Sequence, residues 1–128
     1  MTTAVLACIG LGGNVGDSVA TLRAALLELD ALPSTRLVRA SRLYRTPAWG
    51  VLEQADFVNA AALLDTTLAA RDLLDALLGI ERAFGRERGD RWGPRVLDLD
   101  LLLYGDAVIG EAGLRVPHPH LHERAFAL

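Results

Sequence analysis

Asp98 and Asp100 stand two residues apart in a leucine-rich segment, and their types and spacing suit metal chemistry. On a β-strand, residues i and i+2 point to the same side, about 6.6 Å apart. Two carboxylates in that arrangement can share a pair of hard cations such as Mg²⁺, which also bind substrate phosphates. Arg91 and Arg95 precede the pair and offer planar cations to phosphate oxygens. The pattern is typical of metal-assisted phosphoryl transfer.

The Asp-x-Asp pair also has a plainer interpretation, because a strand with alternating leucines often presents such carboxylates as a solvated face. The whole segment 91–100 is more specific, and it reads RWGPRVLDLD. It resembles the signature of the 6-hydroxymethyl-7,8-dihydropterin pyrophosphokinases, folate-pathway enzymes that transfer a diphosphate from ATP to a pterin alcohol. The resemblance implies that Asp98 and Asp100 are catalytic and bind two Mg²⁺ ions, with ATP as co-substrate and AMP as a product.

The composition indicates one globular domain over residues 1–128, with 52% hydrophobic and 23% charged residues. A net charge of −3 and 5% aromatic residues argue against a nucleic-acid partner. No apolar run reaches the ~20 residues of a membrane span, and the first residues lack a basic leader. We therefore expect a cytoplasmic protein without membrane contact. Cys8 is the single cysteine and is expected to pack as a small hydrophobe.

All 13 basic residues are arginine. The lack of lysine excludes a P-loop and lysine-based Schiff-base chemistry. The segment from Gly10 to Asp17 approaches the dinucleotide-binding fingerprint, but Val15 occupies the third glycine position. We therefore predict a glycine-rich turn there, leading into a helix capped by Asp17 or Ser18.

The hydrophobic pattern predicts the order β-α-β-β-α-β. Strands are predicted at 3–9, 35–45, 56–65 and 96–103, and helices from residue 18 to the break at Pro33 and over 68–84. This order is the ferredoxin-like split β-α-β pattern, an α+β fold in which helices pack on an antiparallel sheet.

Three further segments resemble the pterin side of the family, at 44–50, 56–60 and 124–126. A flat heterocycle favours two aromatic faces, here Phe57 and Phe126, although either one alone would be interpreted as core. Asn59 can both donate and accept at the edge of the heterocycle. The pterin-binding residues implied by the resemblance are Thr46, Pro47, Trp49, Phe57, Asn59 and Phe126.

On the nucleotide side, the resemblance makes Arg86 and Arg95 catalytic at the transferring phosphates, with Trp92 closing over the site. It also places Asn14 near the substrates in a supporting role. An arginine run, or a glutamate on a helix, is otherwise a solvated surface. The ATP-binding residues implied are Glu81, Arg88, Arg91, Trp92, Leu101, His118 and Arg124.

Three alternative interpretations of the sequence are a zinc site, a nucleotide-binding module without turnover and an RNA-binding domain. His118, His120 and His122 could bind zinc, but prolines interrupt them and no fourth ligand stands nearby. The chain could be a nucleotide-binding module without turnover, because we expect the family's usual C-terminal stretch to be missing after Leu128. A ferredoxin-like RNA-binding domain would need a basic, aromatic sheet face. The preferred interpretation is a monomeric enzyme whose small-molecule partners are its substrates, ATP and 6-hydroxymethyl-7,8-dihydropterin.

Overall fold

The fold is an antiparallel sheet with two helices, seen in a computed structural model that describes residues 3–46, 56–85, 96–111 and 113–118. The strands are β1 (Val5–Gly13), β2 (Thr35–Ala40), β3 (Tyr44–Thr46), β4 (Phe57–Thr66), β5 (Asp98–Tyr104), β6 (Ile109–Glu111) and β7 (Leu114–Val116). The helices are α1 (Ser18–Asp30) and α2 (Ala70–Ala83). Neither helix in these ranges has the length and apolar character needed to cross a membrane.

The main sheet has the strand order β2-β4-β1-β5, and β3 pairs with a further part of β4. Every pairing in it is antiparallel. Because α1 and α2 each connect strands that are not neighbours, this is the order of the split β-α-β pattern, and the predicted α+β fold is confirmed. Strands β6 and β7 form a separate hairpin that the sequence pattern did not predict.

The core lies between the sheet and the helices. Alternate residues of β1 face it, and Ala7, Ile9 and Leu11 are almost completely buried. The matching residues of the neighbouring strands and helices are Val58, Ala60, Ala62, Leu64, Leu99, Leu101, Leu22, Leu29, Leu73, Leu77 and Ile80, and Leu97 joins them just before β5. Since side chains alternate along a strand, the residues between these positions lie on the opposite face of the sheet.

Local signals set the ends of both helices. The Asp17 side chain accepts a 3.1 Å hydrogen bond from the Ala20 N–H, which confirms Asp17 as the cap of α1. Beyond α2, Gly85 takes a φ of +83°, and its N–H donates to the Arg82 carbonyl. Glycine suits this left-handed position after a helix end.

The predicted glycine-rich turn is wrong at its first half, because residues 10–13 belong to β1. Gly10 and Gly12 pair with β4 on one side and with β5 on the other. Side chains from those neighbours cover the bare backbone: a Cβ on Gly10 would contact Leu102, and one on Gly12 would contact Asn59. Close approach of side chains, rather than a turn, accounts for these glycines. The predicted strand 35–45 is likewise two strands, β2 and β3.

Candidate active site

Asp98 and Asp100 lie on one side of β5, as their spacing predicted, and this side is opposite the core. They pair in register with Gly12 and Gly10 of β1, whereas Leu99 between them is buried in the core. Both aspartates are partly exposed, and the Asp100 side chain retains 30% of its accessible surface. Two carboxylates on one side of a strand, open to solvent and beside bare backbone, form a donor set that suits a hard cation.

Glu81 of α2 is hydrogen-bonded to the backbone of the edge strand β5. Its Oε2 accepts a 2.7 Å hydrogen bond from the backbone N–H of Leu99. The glutamate is only 2% exposed, so its interpretation as a solvated helix residue is wrong. The bond holds the peptide between the two aspartates to α2. A role for Glu81 in ATP binding stays a prediction.

A cleft of about 270 Å³ opens beside Asp100, at the edge of the sheet formed by β5. It is lined by Leu74, Leu99, Asp100, Leu101, Gly113, Leu114, Arg115 and His118. Four of these eight residues are leucines, and the charged groups Asp100 and Arg115 lie with His118 among them. An apolar cleft with few polar groups is the usual form of a small-molecule site.

His118 contacts β5 through both its backbone and its ring. Its N–H donates a 2.8 Å hydrogen bond to the Leu102 carbonyl, which attaches the segment after β7 to β5. The ring Nε2 lies 3.7 Å from Asp100 Oδ1. Asp100 and Leu101 of β5 and His118 of the segment after β7 were predicted as site residues, and the structure brings the two segments together around one cleft.

Asn59 and Thr46 form a second polar cluster on the same face of the sheet. The Asn59 Nδ2 donates a 2.7 Å hydrogen bond to Thr46 Oγ1. Asn59 is 6% exposed, and the partly exposed Phe57 precedes it by two residues on the same side of β4. Thr46 stands opposite Phe57 in the β3–β4 register. Three residues predicted to bind the pterin therefore adjoin one another.

The two clusters are connected through Gly12. In register, Gly12 faces Asn59 of β4 on one side and Asp98 of β5 on the other. Directly paired residues point to the same side, so Asn59 and Asp98 project from one face, two strand spacings or about 10 Å apart. A substrate lying over Gly12 can contact both.

Several predicted residues lie outside the described ranges: Pro47, Trp49, Arg86, Arg88, Arg91, Trp92, Arg95, Arg124 and Phe126, with His120 and His122 of the zinc alternative. Their roles stay predictions. Within the described ranges no group of three or more histidine, cysteine or acidic side chains could hold a metal. Asn14, which the resemblance placed near the substrates, is buried and directly follows Gly13 at the end of β1; its supporting role stays a prediction.

Five residues that line the cleft were not predicted as site residues from the sequence: Leu74, Leu99, Gly113, Leu114 and Arg115. Leu114 and Val116 are buried while Arg115 is exposed, an alternation that marks a short strand. That signal, following Gly113, was available in the sequence. Leu74 carries no comparable signal, because it lies beside the buried stripe of α2 that contains Leu73, Leu77 and Ile80.

Cys8 lies apart from both clusters, on β1 near the other end of the strand. It is partly buried, and burial raises the pKa of its thiol because the thiolate loses solvation. It is a free thiol and is not one of the residues that line the cleft.

Fold and site together define an α+β domain with a paired-carboxylate strand at one edge of its sheet. A family model described as 7,8-dihydro-6-hydroxymethylpterin-pyrophosphokinase matches residues 8–128. The chain therefore belongs to the 7,8-dihydro-6-hydroxymethylpterin-pyrophosphokinase family, as the resemblance of segment 91–100 implied.

The names of individual relatives agree with this family assignment. Proteins named 2-amino-4-hydroxy-6-hydroxymethyldihydropteridine pyrophosphokinase are similar along nearly the whole chain. The one from Methylorubrum extorquens is 48% identical over 122 residues, covering 95% of this chain and 77% of the relative. The one from Pseudomonas aeruginosa is 48% identical, covering 94% and 74%. The one from Pseudomonas putida is 47% identical, covering 92% and 98%.

Proposed function

We propose that this chain transfers a diphosphate from ATP to the hydroxymethyl group of 6-hydroxymethyl-7,8-dihydropterin, a step of folate biosynthesis. The observation that carries the proposal is the row formed by Asn59, Gly12 and Asp98. A residue suited to a heterocycle and a residue suited to a metal-bound phosphate stand on either side of bare backbone. The names of the relatives point to the same reaction.

The heterocycle is assigned to the face of β4 and β3. Asn59 offers a carboxamide, which can accept from ring N–H groups, and Thr46 keeps its hydroxyl proton free to donate after accepting from Asn59. Phe57, on the same side of β4, offers a flat apolar surface for stacking. The remaining predicted contacts, Pro47, Trp49 and Phe126, belong to this proposal.

ATP is assigned to the cleft beside β5. Its leucine-lined wall, including Leu101, suits the flat adenine base, and the charged rim at Asp100 and His118 lies where the phosphates would follow. Arg88, Arg91, Arg124 and Trp92 are proposed to complete the ATP contacts. Arg86 and Arg95 are proposed to bind the transferring phosphates as planar, permanently charged donors.

The donor set of Asp98 and Asp100 fits magnesium, and we assign both carboxylates to two Mg²⁺ ions. When bound, magnesium neutralises phosphate charge and orients the oxygens of the polyphosphate. The chain's own contribution is placement: β1 supplies a pairing strand without side chains, and Glu81 fixes the Leu99 peptide between the carboxylates. Rigid ligands keep the two carboxylates on one side, which reduces the cost of assembling the reacting groups.

In the proposed reaction, the oxygen of the pterin hydroxymethyl group attacks the β-phosphorus of ATP in line. The bond from that phosphorus to the oxygen bridging the α- and β-phosphates breaks, and AMP leaves. The hydroxyl proton is released, and the product is the pterin diphosphate. Positioning and charge neutralisation suffice for phosphoryl transfer, so no covalent enzyme intermediate is required.

The decisive experiment is product analysis after incubation of the chain with ATP, Mg²⁺ and 6-hydroxymethyl-7,8-dihydropterin. AMP formed in equal amount to pterin diphosphate is the expected result. Formation of ADP would overturn diphosphate transfer in favour of ordinary kinase chemistry. Binding of ATP without any turnover would favour the nucleotide-binding module instead.

A further inference from the structure

We propose that Gly12 is a positioning residue for the dihydropterin. Because Gly12 has no side chain, the Asn59 carboxamide can occupy the position in which we expect it to bind the heterocycle. The inference rests on the proposed function, since it names what sets the affinity of that same site for its heterocycle. Gly12 itself would act through Asn59.

The backbone does not require glycine at this position. Gly12 lies in β1 with ordinary extended geometry and is not among the glycines of positive φ. Any L-residue can adopt that conformation. Glycine in a central strand also weakens it, because it has more freedom to lose and no side chain to pack. A reason for glycine must therefore come from its surroundings.

The side chain of Asn59 lies nearest to the position that a Cβ at Gly12 would occupy. A Cβ at Gly12 would lie 3.1 Å from Asn59 Oδ1 and 3.8 Å from the Val58 carbonyl oxygen. The first distance is shorter than an ordinary carbon–oxygen contact, so alanine would force the Asn59 oxygen to retreat by a few tenths of an ångström. The carboxamide of Asn59 therefore occupies the volume in which a side chain at Gly12 would stand.

Asn59 has little freedom to retreat. The other end of its carboxamide is fixed by the 2.7 Å hydrogen bond from Nδ2 to Thr46 Oγ1, and the residue is 6% exposed. Displacing Oδ1 would lengthen or misalign that bond. Both atoms that we assign to the edge of the heterocycle, Asn59 Oδ1 and Thr46 Oγ1, would then shift together.

Gly10 supplies a matched comparison on the same strand and the same face. A Cβ there would lie 3.3 Å from Leu102 Cδ1, the end of an apolar side chain. Leu102 is fully buried, so the added methyl group has a packing cost, but it displaces no hydrogen-bonded group. Alanine at Gly10 therefore tests the general effect of adding a methyl group to β1, whereas alanine at Gly12 adds the displacement of Asn59.

The experiment compares Gly12→Ala with Gly10→Ala by steady-state kinetics and by equilibrium titration with 6-hydroxymethyl-7,8-dihydropterin. We expect Gly12→Ala to raise the KM and Kd for the dihydropterin about tenfold, because a site built on hydrogen bonds loses affinity when they are misaligned. Titrated without ATP, Gly10→Ala should leave the dihydropterin Kd within about twofold of its original value, because a Cβ there contacts Leu102 rather than a residue assigned to the heterocycle. Equal dihydropterin constants in the two variants would overturn the proposal.

A double-mutant cycle separates positioning from a general structural effect. If Gly12 acts through Asn59, then Gly12→Ala should have no further effect on the dihydropterin Kd in the Asn59→Ala background. An undiminished effect there would contradict the inference. Should Gly12→Ala fail to fold, the double variant still decides: recovery of the fold identifies Asn59 as the obstacle, and failure to recover overturns the proposal.

Failure of the proposed function can be recognised separately. An unmodified chain that binds the dihydropterin without forming AMP would overturn diphosphate transfer, while the Kd comparison between the two glycine variants still tests Gly12. An unmodified chain that neither binds nor converts the dihydropterin would overturn both.

Discussion

The carboxylate of Glu81 accepts a hydrogen bond from the backbone N–H of Leu99, and this contact joins α2 to the edge strand β5 at 2.7 Å. Leu99 stands between Asp98 and Asp100, so the glutamate restrains the peptide that carries both carboxylates. An edge strand otherwise exposes unpaired backbone donors. The contact therefore serves the fold and the proposed metal site through one bond.

We expect Glu81→Ala to lower the free energy of unfolding by about 1–3 kcal/mol, because the Leu99 N–H would lose its acceptor in a buried position. Glu81→Gln should cost less, since its carbonyl oxygen can still accept. Urea unfolding of both variants measures the difference. Asp75→Ala is the control, because Asp75 is an exposed acidic residue of the same helix. Glu81→Ala as stable as that control would contradict the prediction.

Replacing either aspartate of β5 should abolish most turnover. For Asp98→Asn and Asp100→Asn we expect a loss in kcat/KM of about 10³-fold or more, which corresponds to about 4 kcal/mol in the barrier. The substitutions keep side-chain size, so circular dichroism should be unchanged. Asp106→Asn removes the same charge from the exposed turn after β5 and should remain active. Near-normal turnover of both variants at saturating Mg²⁺ would refute the metal assignment.

The link between Thr46 and Asn59 should control affinity for the dihydropterin. Thr46→Val removes the acceptor of Asn59 Nδ2 at nearly constant volume, so we expect the dihydropterin Kd to rise about tenfold, equivalent to about 1.4 kcal/mol. Thr46→Ser keeps the hydroxyl and should restore most of the affinity. Titration followed by pterin fluorescence provides the measurement. Equal affinity of the valine and serine variants would mean that the hydroxyl is not used.

His118→Ala should weaken ATP binding and leave dihydropterin binding nearly unchanged. The Leu102 carbonyl accepts from the backbone of His118 and not from its ring, so the segment after β7 should keep its place in the variant. We expect the Kd for ATP with Mg²⁺ to rise about tenfold as one charge-assisted contact is lost. Isothermal titration with each substrate tests this, with Glu111→Ala on the adjoining hairpin as the control. A change confined to the dihydropterin would reverse our assignment of the cleft.

The sequence predicted those parts of the site that depend on local periodicity. Strand alternation places Asp98 with Asp100, and Phe57 with Asn59, on shared faces without knowledge of the pairing. The row across β4, β1 and β5 could not be predicted in the same way, because register between distant strands is a tertiary property. The glycines of β1 were interpreted as a turn for the same reason. Their function depends on Leu102 and Asn59, which are remote in sequence.

Cys8 should react more slowly with alkylating reagents in the folded chain than in the unfolded one. Burial raises the pKa of its thiol by desolvation, and the thiolate is the reactive form. At any given pH the folded chain therefore holds a smaller fraction of thiolate, and the rise of the alkylation rate should be displaced to higher pH. Because Cys8 is the single cysteine, the mass gained from iodoacetamide reports on it alone. Rates are compared across pH for the native and the urea-unfolded chain. Coincident pH midpoints would show that the thiol is solvated as fully in the fold as outside it.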